Sequence, residues 1–155
     1  MIVLVPIDGT EQSLYTLERA AQFLDKEFCS LHLFMVQVPI SPEIPWELED
    51  SKETESYLAR AKAKAESLGF KVDKTDYTTS YKPANIICNY AEAIAAQLIV
   101  MGSHGHKCIT QFFIGSVSEE VFKEATQPVI IVRNDKLHSA KISHFDISSL
   151  HQIIH

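Results

Sequence analysis

Residues 98–116 read LIVMGSHGHKCITQFFIGS, and this stretch decides how the chain is built. Leu98 to Met101 is a short apolar run of the kind that lies buried on both faces of a sheet. Gly102 ends the run, Gly105 follows, and Gly115-Ser116 then opens a helical pattern that continues to about Ala125. Strand, glycine loop and helix in that order form the repeating unit of an α/β protein. Glycine at 102 and 105 lets the backbone turn sharply and approach a ligand with no Cβ in the way. Gly115 and Ser116 stand at a helix amino end, where unpaired N–H groups and the helix dipole attract an anion. Ser116 with Glu119 reads as a capping box for that helix. Two clusters of main-chain donors joined by a loop suit a polyphosphate. Glycines before a capped helix also occur where nothing binds, and the residues alone leave both readings open.

Working outward from this unit, the chain alternates strands with helices. Ile2 to Ile7 is a buried strand ended by Asp8-Gly9-Thr10, with Pro6 expected at its carboxyl end because proline cannot donate to a ladder. Leu14, Leu17, Ala21, Leu24 and Phe28 are spaced 3, 4, 3, 4, which predicts one face of a helix. Leu31 to Val38 is a second strand, and Pro39, Pro42 and Pro45 mark an extended loop ending near Trp46. A helix over 48–68 carries Leu58, Ala61, Ala65 and Leu68 on one side and stops at Gly69. The polar run KVDKTDYT at 71–78 suits an edge strand. Pro83 fits the first turn of a helix that turns Ile86, Ile87, Tyr90, Ala91 and Ile94 inward. Val129 to Val132 is the last strand. The whole predicts a single-domain α/β fold, an open five-stranded, mainly parallel sheet with helices on both faces.

Composition narrows the function classes. A length of 155 residues supports one domain,. The formal net charge of −6 argues against general binding to nucleic acid or an anionic membrane,. Cys29, Cys88 and Cys108 are odd in number and lack zinc or redox spacing, so they read as reduced thiols. The amino-terminal apolar run is too short for a signal peptide or a membrane helix, and a cytoplasmic location is expected. Neither GxxxxGK[ST] nor a GxGxxG after the first strand is present, so Walker and dinucleotide fingerprints are missing,.

The spacing Gly-x2-Gly-x9-Gly-Ser over 102–116 resembles the nucleotide motif of the ATP-binding branch of the universal stress protein family. VPIDGTEQS at 5–13, LIVMGSHGH at 98–106 and GSVSEEVFKEATQPVIIV at 115–132 resemble its first strand and turn, its fourth strand, and its last helix and strand. The likeness covers roughly residues 1–133 as a nucleotide-binding domain and leaves 134–155 as a carboxyl-terminal extension. It implies strand order 3-2-1-4-5, a homodimer, and a nucleotide at the carboxyl ends of strands one and four. By that resemblance Pro6, Ile7 and Asp8 line the adenine and ribose side, and Val36 offers main-chain groups to adenine. Gly102, Gly105, Gly115, Ser116, Val117 and Ser118 hold ribose and phosphates, with Met101 beneath. His106, beside His104 and Lys107, would place a basic group near the phosphates. The cofactor implied is ATP, or AMP or ADP, with Mg2+ or Mn2+.

Each of these residues also has a plainer role. Asp8 before Gly-Thr suits a turn or helix cap. The basic residues of the 102–114 loop suit a solvated surface, and Phe112, Phe113 and Ile114 suit packing. The apolar strand 129–132 at a sheet edge invites cover, either by the same strand of a second copy or by the tail. Four histidines of the tail, His138, His144, His151 and His155, lack tight ligand spacing. No general base or arginine is placed for attack on a γ-phosphate, so the sequence favours an adenine-nucleotide-binding regulatory module with at most slow hydrolysis. The alternatives are an ATPase or nucleotidyl-transferring enzyme of a related α/β superfamily, with Trp46 on a lid, and a nucleotide-free dimer. The tail could also dock a protein partner.

Overall fold

The computed structural model describes residues 1–39, 51–103 and 114–133. Its elements are β1 (Ile2–Ile7), α1 (Glu11–Phe23), β2 (Ser30–Gln37), α2 (Ser51–Ser67), β3 (Lys71–Thr79), α3 (Pro83–Ala93), β4 (Leu98–Gly102), α4 (Ser116–Glu124) and β5 (Val129–Val132). The strands form a single sheet in the order β3-β2-β1-β4-β5. Every neighbouring pair is parallel, with Leu4 opposite both His32 and Ile99.

The burial pattern follows from that order. β1 lies at the centre, and Val3, Leu4 and Val5 are fully buried, so both faces of the strand must be apolar. Val3, Val5, Leu31, Leu33 and Met35 pack with Leu17, Ala20, Leu58, Ala61 and Ala65 of α1 and α2. Leu4, Phe34, Ile99 and Met101 pack on the other face with Ala84, Ile87, Ala91 and Val121 of α3 and α4. The chain adds β2 and β3 on one side of β1, then returns across the sheet to add β4 and β5. Keeping one hand of crossover through that reversal moves the later helices to the opposite face. β3 is an edge, mostly exposed, with Lys71–Asp73 at 2.7 Å and Lys74–Asp76 at 2.9 Å along it.

Local signals account for most boundaries. Pro83 occupies the first turn of α3. After α2, Gly69 adopts φ +93°. Its N–H reaches the Glu66 carbonyl at 2.9 Å while that of Phe70 reaches Ala65 at 3.1 Å, the paired bonds of a Schellman stop. The expected start of this helix at 48–50 lies outside the described residues.

Two expectations need correction. The stripe from Leu14 to Phe28 does not run along one helix: α1 ends at Phe23, and Phe28 is 72% exposed. Leu24 closes the helix, and Asp25 then accepts the Glu27 N–H at 3.0 Å and, by its carbonyl, the Cys29 N–H. A local aspartate turn therefore overrides an apolar period that continues past it. The capping box at Ser116 is also absent. Gly115 occupies the N-cap with no side-chain bond, Ser116 is the first helical residue, and Glu119 instead pairs with Lys123 at 2.6 Å.

Candidate functional site

The site begins where the sheet divides. β1 pairs with β4 only at Val3–Leu98 and Leu4–Ile99, whereas its ladder with β2 runs on to Ile7–Met35. The Ile2 carbonyl accepts from Gln97 on the β4 side. By strand alternation, Leu4 and Pro6 turn their main-chain groups toward β4 as well. Pro6 has no N–H to give at the rung where the ladder stops. It thus lies within β1, one residue before its end, and its missing donor falls where β1 and β4 part. The carboxyl ends of these two strands flank a crevice at the point where strand order reverses.

On the β1 side, Asp8 is tied into a turn. Its Oδ1 accepts the Thr10 N–H at 3.0 Å and also the hydroxyls of Thr10 and Ser13, while its own N–H donates to Ser13 Oγ at 3.0 Å. The turn role foreseen for Asp8 is therefore filled, and Thr10 stands at the N-cap of α1 with no side-chain bond to the helix's own N–H groups. Gly9 bends the chain with φ +79°, and a Cβ there would lie 2.9 Å from the Tyr57 ring of α2. Only glycine fits both the backbone and the space.

On the β4 side the two glycine-bearing turns meet. Gly115 donates its N–H to the Ser103 carbonyl at 2.6 Å, and Ser118 Oγ donates to the Gly102 carbonyl at 2.7 Å. Ser103 is buried and its N–H reaches the Val132 carbonyl of β5 at 2.8 Å. The Gly115 amide is therefore consumed in closing the loop. The first intrahelical bond of α4 comes from Glu119 to Gly115, which leaves the N–H groups of Ser116, Val117 and Ser118 as the donors of the helix amino end. Gly102 has a second reason to be glycine: a Cβ would meet Gln12 Cγ at 3.0 Å and Thr16 Oγ1 at 3.1 Å on α1.

The remaining residues take clear places. Ile7 and Met101 are buried on opposite faces of the sheet, and Val36 packs half-buried on the α3–α4 face near the end of β2. Gly105, His104, His106 and Lys107 lie outside the described residues, as do Trp46, Phe112, Phe113 and the tail. Ile114 is exposed, which does not fit a packing role. Among the described residues, no cluster of His, Cys, Asp or Glu could hold a metal ion.

Sequence reasoning singled out Ser118 but missed the other members of a group of buried polar residues. Ser13, Thr16, Gln37, Thr54, Ser103 and Ser118 are the buried polar side chains among the described residues. They lie on the first two turns of α1, on the first turns of α2 and α4, and at the ends of β2 and β4. Buried polar groups cost stability unless paired: Ser13 donates to Asp8, Gln37 to Thr54, Thr16 to the Gln12 carbonyl and Ser118 to the Gly102 carbonyl. A period-based reading treats them as breaks in an apolar pattern, so only their position at element ends could have flagged them. A groove of about 580 Å3 lies elsewhere, between α1 and α2, lined by Glu11, Leu14, Tyr15, Glu18, Arg60 and Lys64 among others. Its charges pair across it, Arg60 with Glu11 and Lys64 with Glu18, so it offers little uncompensated charge to a ligand. The amino end of α4, held to Gly102 and Ser103, lies instead at the carboxyl end of β4.

An open, doubly wound parallel sheet with a crevice at its switch point defines a class of α/β proteins that take ligands beyond the carboxyl ends of their strands. Residues 1–133 match the model of the universal stress protein family, and the chain belongs to that family. It is 34% identical over 143 residues to universal stress protein MJ0531 of Methanocaldococcus jannaschii, covering 86% of this chain and 82% of that one. The solved structure of MJ0577 from the same organism superposes with a TM-score of 0.68 at 26% identity, over 86% of this chain and 95% of the other. A universal stress protein family protein of Arabidopsis thaliana, solved with AMP bound, shares the fold with a TM-score of 0.66 at 17% identity, over 92% and 98% of the two chains.

Proposed function

We propose that this chain is an adenine-nucleotide-binding universal stress protein that takes ATP, or ADP or AMP, in the crevice between β1 and β4. The observation that carries the reading is the joining of Gly102-Ser103 to Gly115 and Ser118 by hydrogen bonds of 2.6 and 2.7 Å. That contact brings the amino end of α4 to the mouth of the crevice, where helix-end N–H groups favour a phosphate. In this reading Ser116, Val117 and Ser118 donate to phosphate, with Gly102, Gly105, His106 and Gly115 shaping the loop around it. Pro6, Ile7, Asp8 and Met101 border base and ribose, and the Val36 main chain meets adenine. AMP in the Arabidopsis neighbour supports the nucleotide class.

The role that fits is regulatory. The described part of the site presents main-chain donors and no side chain placed as a base for in-line attack, so turnover would be slow. Nucleotide would change what the protein contacts, in a homodimer built through β5. Residues 1–133 would form the binding domain and 134–155 an extension that contacts a partner or the second subunit. Among the described residues no helix is long and apolar enough to cross a membrane, and the reading places the protein in the cytoplasm.

Titration calorimetry with ATP, ADP and AMP, with and without Mg2+, tests the reading. Saturable binding in the micromolar range, one nucleotide per chain, is expected, with phosphate release close to background. Absence of a signal at millimolar nucleotide would end the proposal.

A further inference from the structure

β5 is packed on one face and open at the middle of the other. Val129 and Ile131 lie with Val121 on the α4 side. Ile130 stands opposite Val100 in the ladder, and Val100 belongs to the core beneath α1 and α2. Alternation therefore turns Ile130 to the α1 side of the sheet. Val100 is fully buried there, yet Ile130 is 36% exposed. Cover on this face ends between β4 and β5.

The flank of α1 completes a shelf. Gln12 and Thr16 lie against Gly102 at the end of β4, and Gln12 Nε2 donates to the Val132 carbonyl at 3.4 Å. Phe23 stands two helical turns beyond Thr16 on the same flank,, and it is 48% exposed. Phe23 and Ile130 thus border one open apolar shelf between α1 and the edge of the sheet.

The chain supplies its own occupant. It leaves β5 at Val132, beside Gln12, at one end of this shelf. Residues 134–155 follow and lie outside the described residues. Among them Ile147, Leu150 and Ile154 are spaced 3 and 4, the period that gathers apolar side chains on one face of a helix, and Asp146 precedes them as an N-cap residue would. Residues 134–146 can span about 40 Å,, against a shelf about 15 Å long, the rise of a four-residue strand,. Two half-exposed side chains fall far short of the roughly 800 Å2 per partner that a stable interface between separate proteins needs. A tethered segment needs less, because its effective concentration is on the order of mM.

We propose that the extension 134–155 docks on its own domain, laying Ile147, Leu150 and Ile154 on the shelf bordered by Phe23 and Ile130. The hydrogen-bonding edge of β5 is a separate surface and stays open to a second copy. Two-fold pairing along that edge sets both α1-side faces on one side of the joined sheet, so each docked extension also meets the second subunit. The inference stands apart from the nucleotide reading.

Hydrogen exchange read by mass spectrometry, without nucleotide, tests it on the full chain, on Phe23→Ser and Phe23→Leu, and on the Leu150→Ser/Ile154→Ser double variant. Exchange in β1 and β4 reports that each variant is folded. In the wild type, amides of 147–154 should exchange at least about tenfold more slowly than an unstructured chain. That protection should fall about tenfold in Phe23→Ser and in the double variant, and persist in Phe23→Leu, which keeps an apolar contact. The double variant alters no residue of the domain, yet it should speed exchange over 20–24 at the end of α1. Unprotected amides over 147–154 in the wild type overturn the proposal. Protection that survives Phe23→Ser, or unchanged exchange over 20–24 in the double variant, overturns it too, because the segment would then rest on another surface.

Discussion

Gly102 is the residue at which packing and site geometry coincide. Its carbonyl accepts from Ser118, and its missing side chain admits Gln12 and Thr16 of α1 at 3.0 and 3.1 Å from where a Cβ would stand. Gly102→Val must push α1 away from β4, at an expected cost of about 1–3 kcal/mol, read as a lower urea midpoint with an unchanged slope. Ser118→Ala removes only the tether between the two turns. We expect a stability loss of about 1 kcal/mol from the same melt, and a larger relative effect on ATP affinity, about tenfold. If the affinity were untouched while stability fell, the tether would be structural alone. Asp8 carries a related lesson: three donors already converge on its Oδ1, so the carboxylate shapes the β1–α1 turn whatever else it contacts.

At the scale of elements, β5 is the exposed liability of the fold. It is a four-residue apolar strand at the sheet edge, with Ile130 at 36% and the neighbouring Phe122 of α4 at 61% exposure. An uncovered apolar edge invites pairing, and two-fold pairing with a second copy is the cover proposed above. Ile130→Lys, which places a charge on that edge, is expected to shift the mass measured by sedimentation from dimer to monomer while leaving the circular dichroism spectrum intact. An unchanged mass would move the interface elsewhere. The opposite edge shows how the fold blunts pairing: β3 alternates lysine and aspartate, paired along the strand.

The whole molecule controls its thiols. Cys29 and Cys88 lie inside the core. Burial, with Glu124 and Glu92 adding negative charge nearby, holds the Cys88 thiol above its ordinary range. The unfolded thiol ionises at a lower pH than the folded one. The resulting stability is complete below the unfolded pKa and is lost as pH rises through the folded pKa. Iodoacetamide at pH 8 should therefore leave Cys88 unmodified in the native protein and label it once urea unfolds the chain, as read by peptide mass spectrometry. Rapid native labelling would contradict the burial described here.

Strand and helix order, the polar edge, the Gly69 stop and the Pro83 start were legible in the chain, because each depends on neighbouring residues and on periods of two or 3.6. The helix start at Gly115-Ser116 was legible as well, though the cap itself is glycine. The end of α1 before Phe28 was not, since one aspartate turn outweighed a continuing apolar stripe. The braces around the crevice were equally hidden. Gln37 with Thr54, Ser118 with Gly102, and Gln12 beside Gly102 join residues distant in sequence. Local chemistry determined which elements form and in what order. Only the assembled sheet and helices decided which polar groups would be buried together, because pairing across layers has no sequence period to announce it.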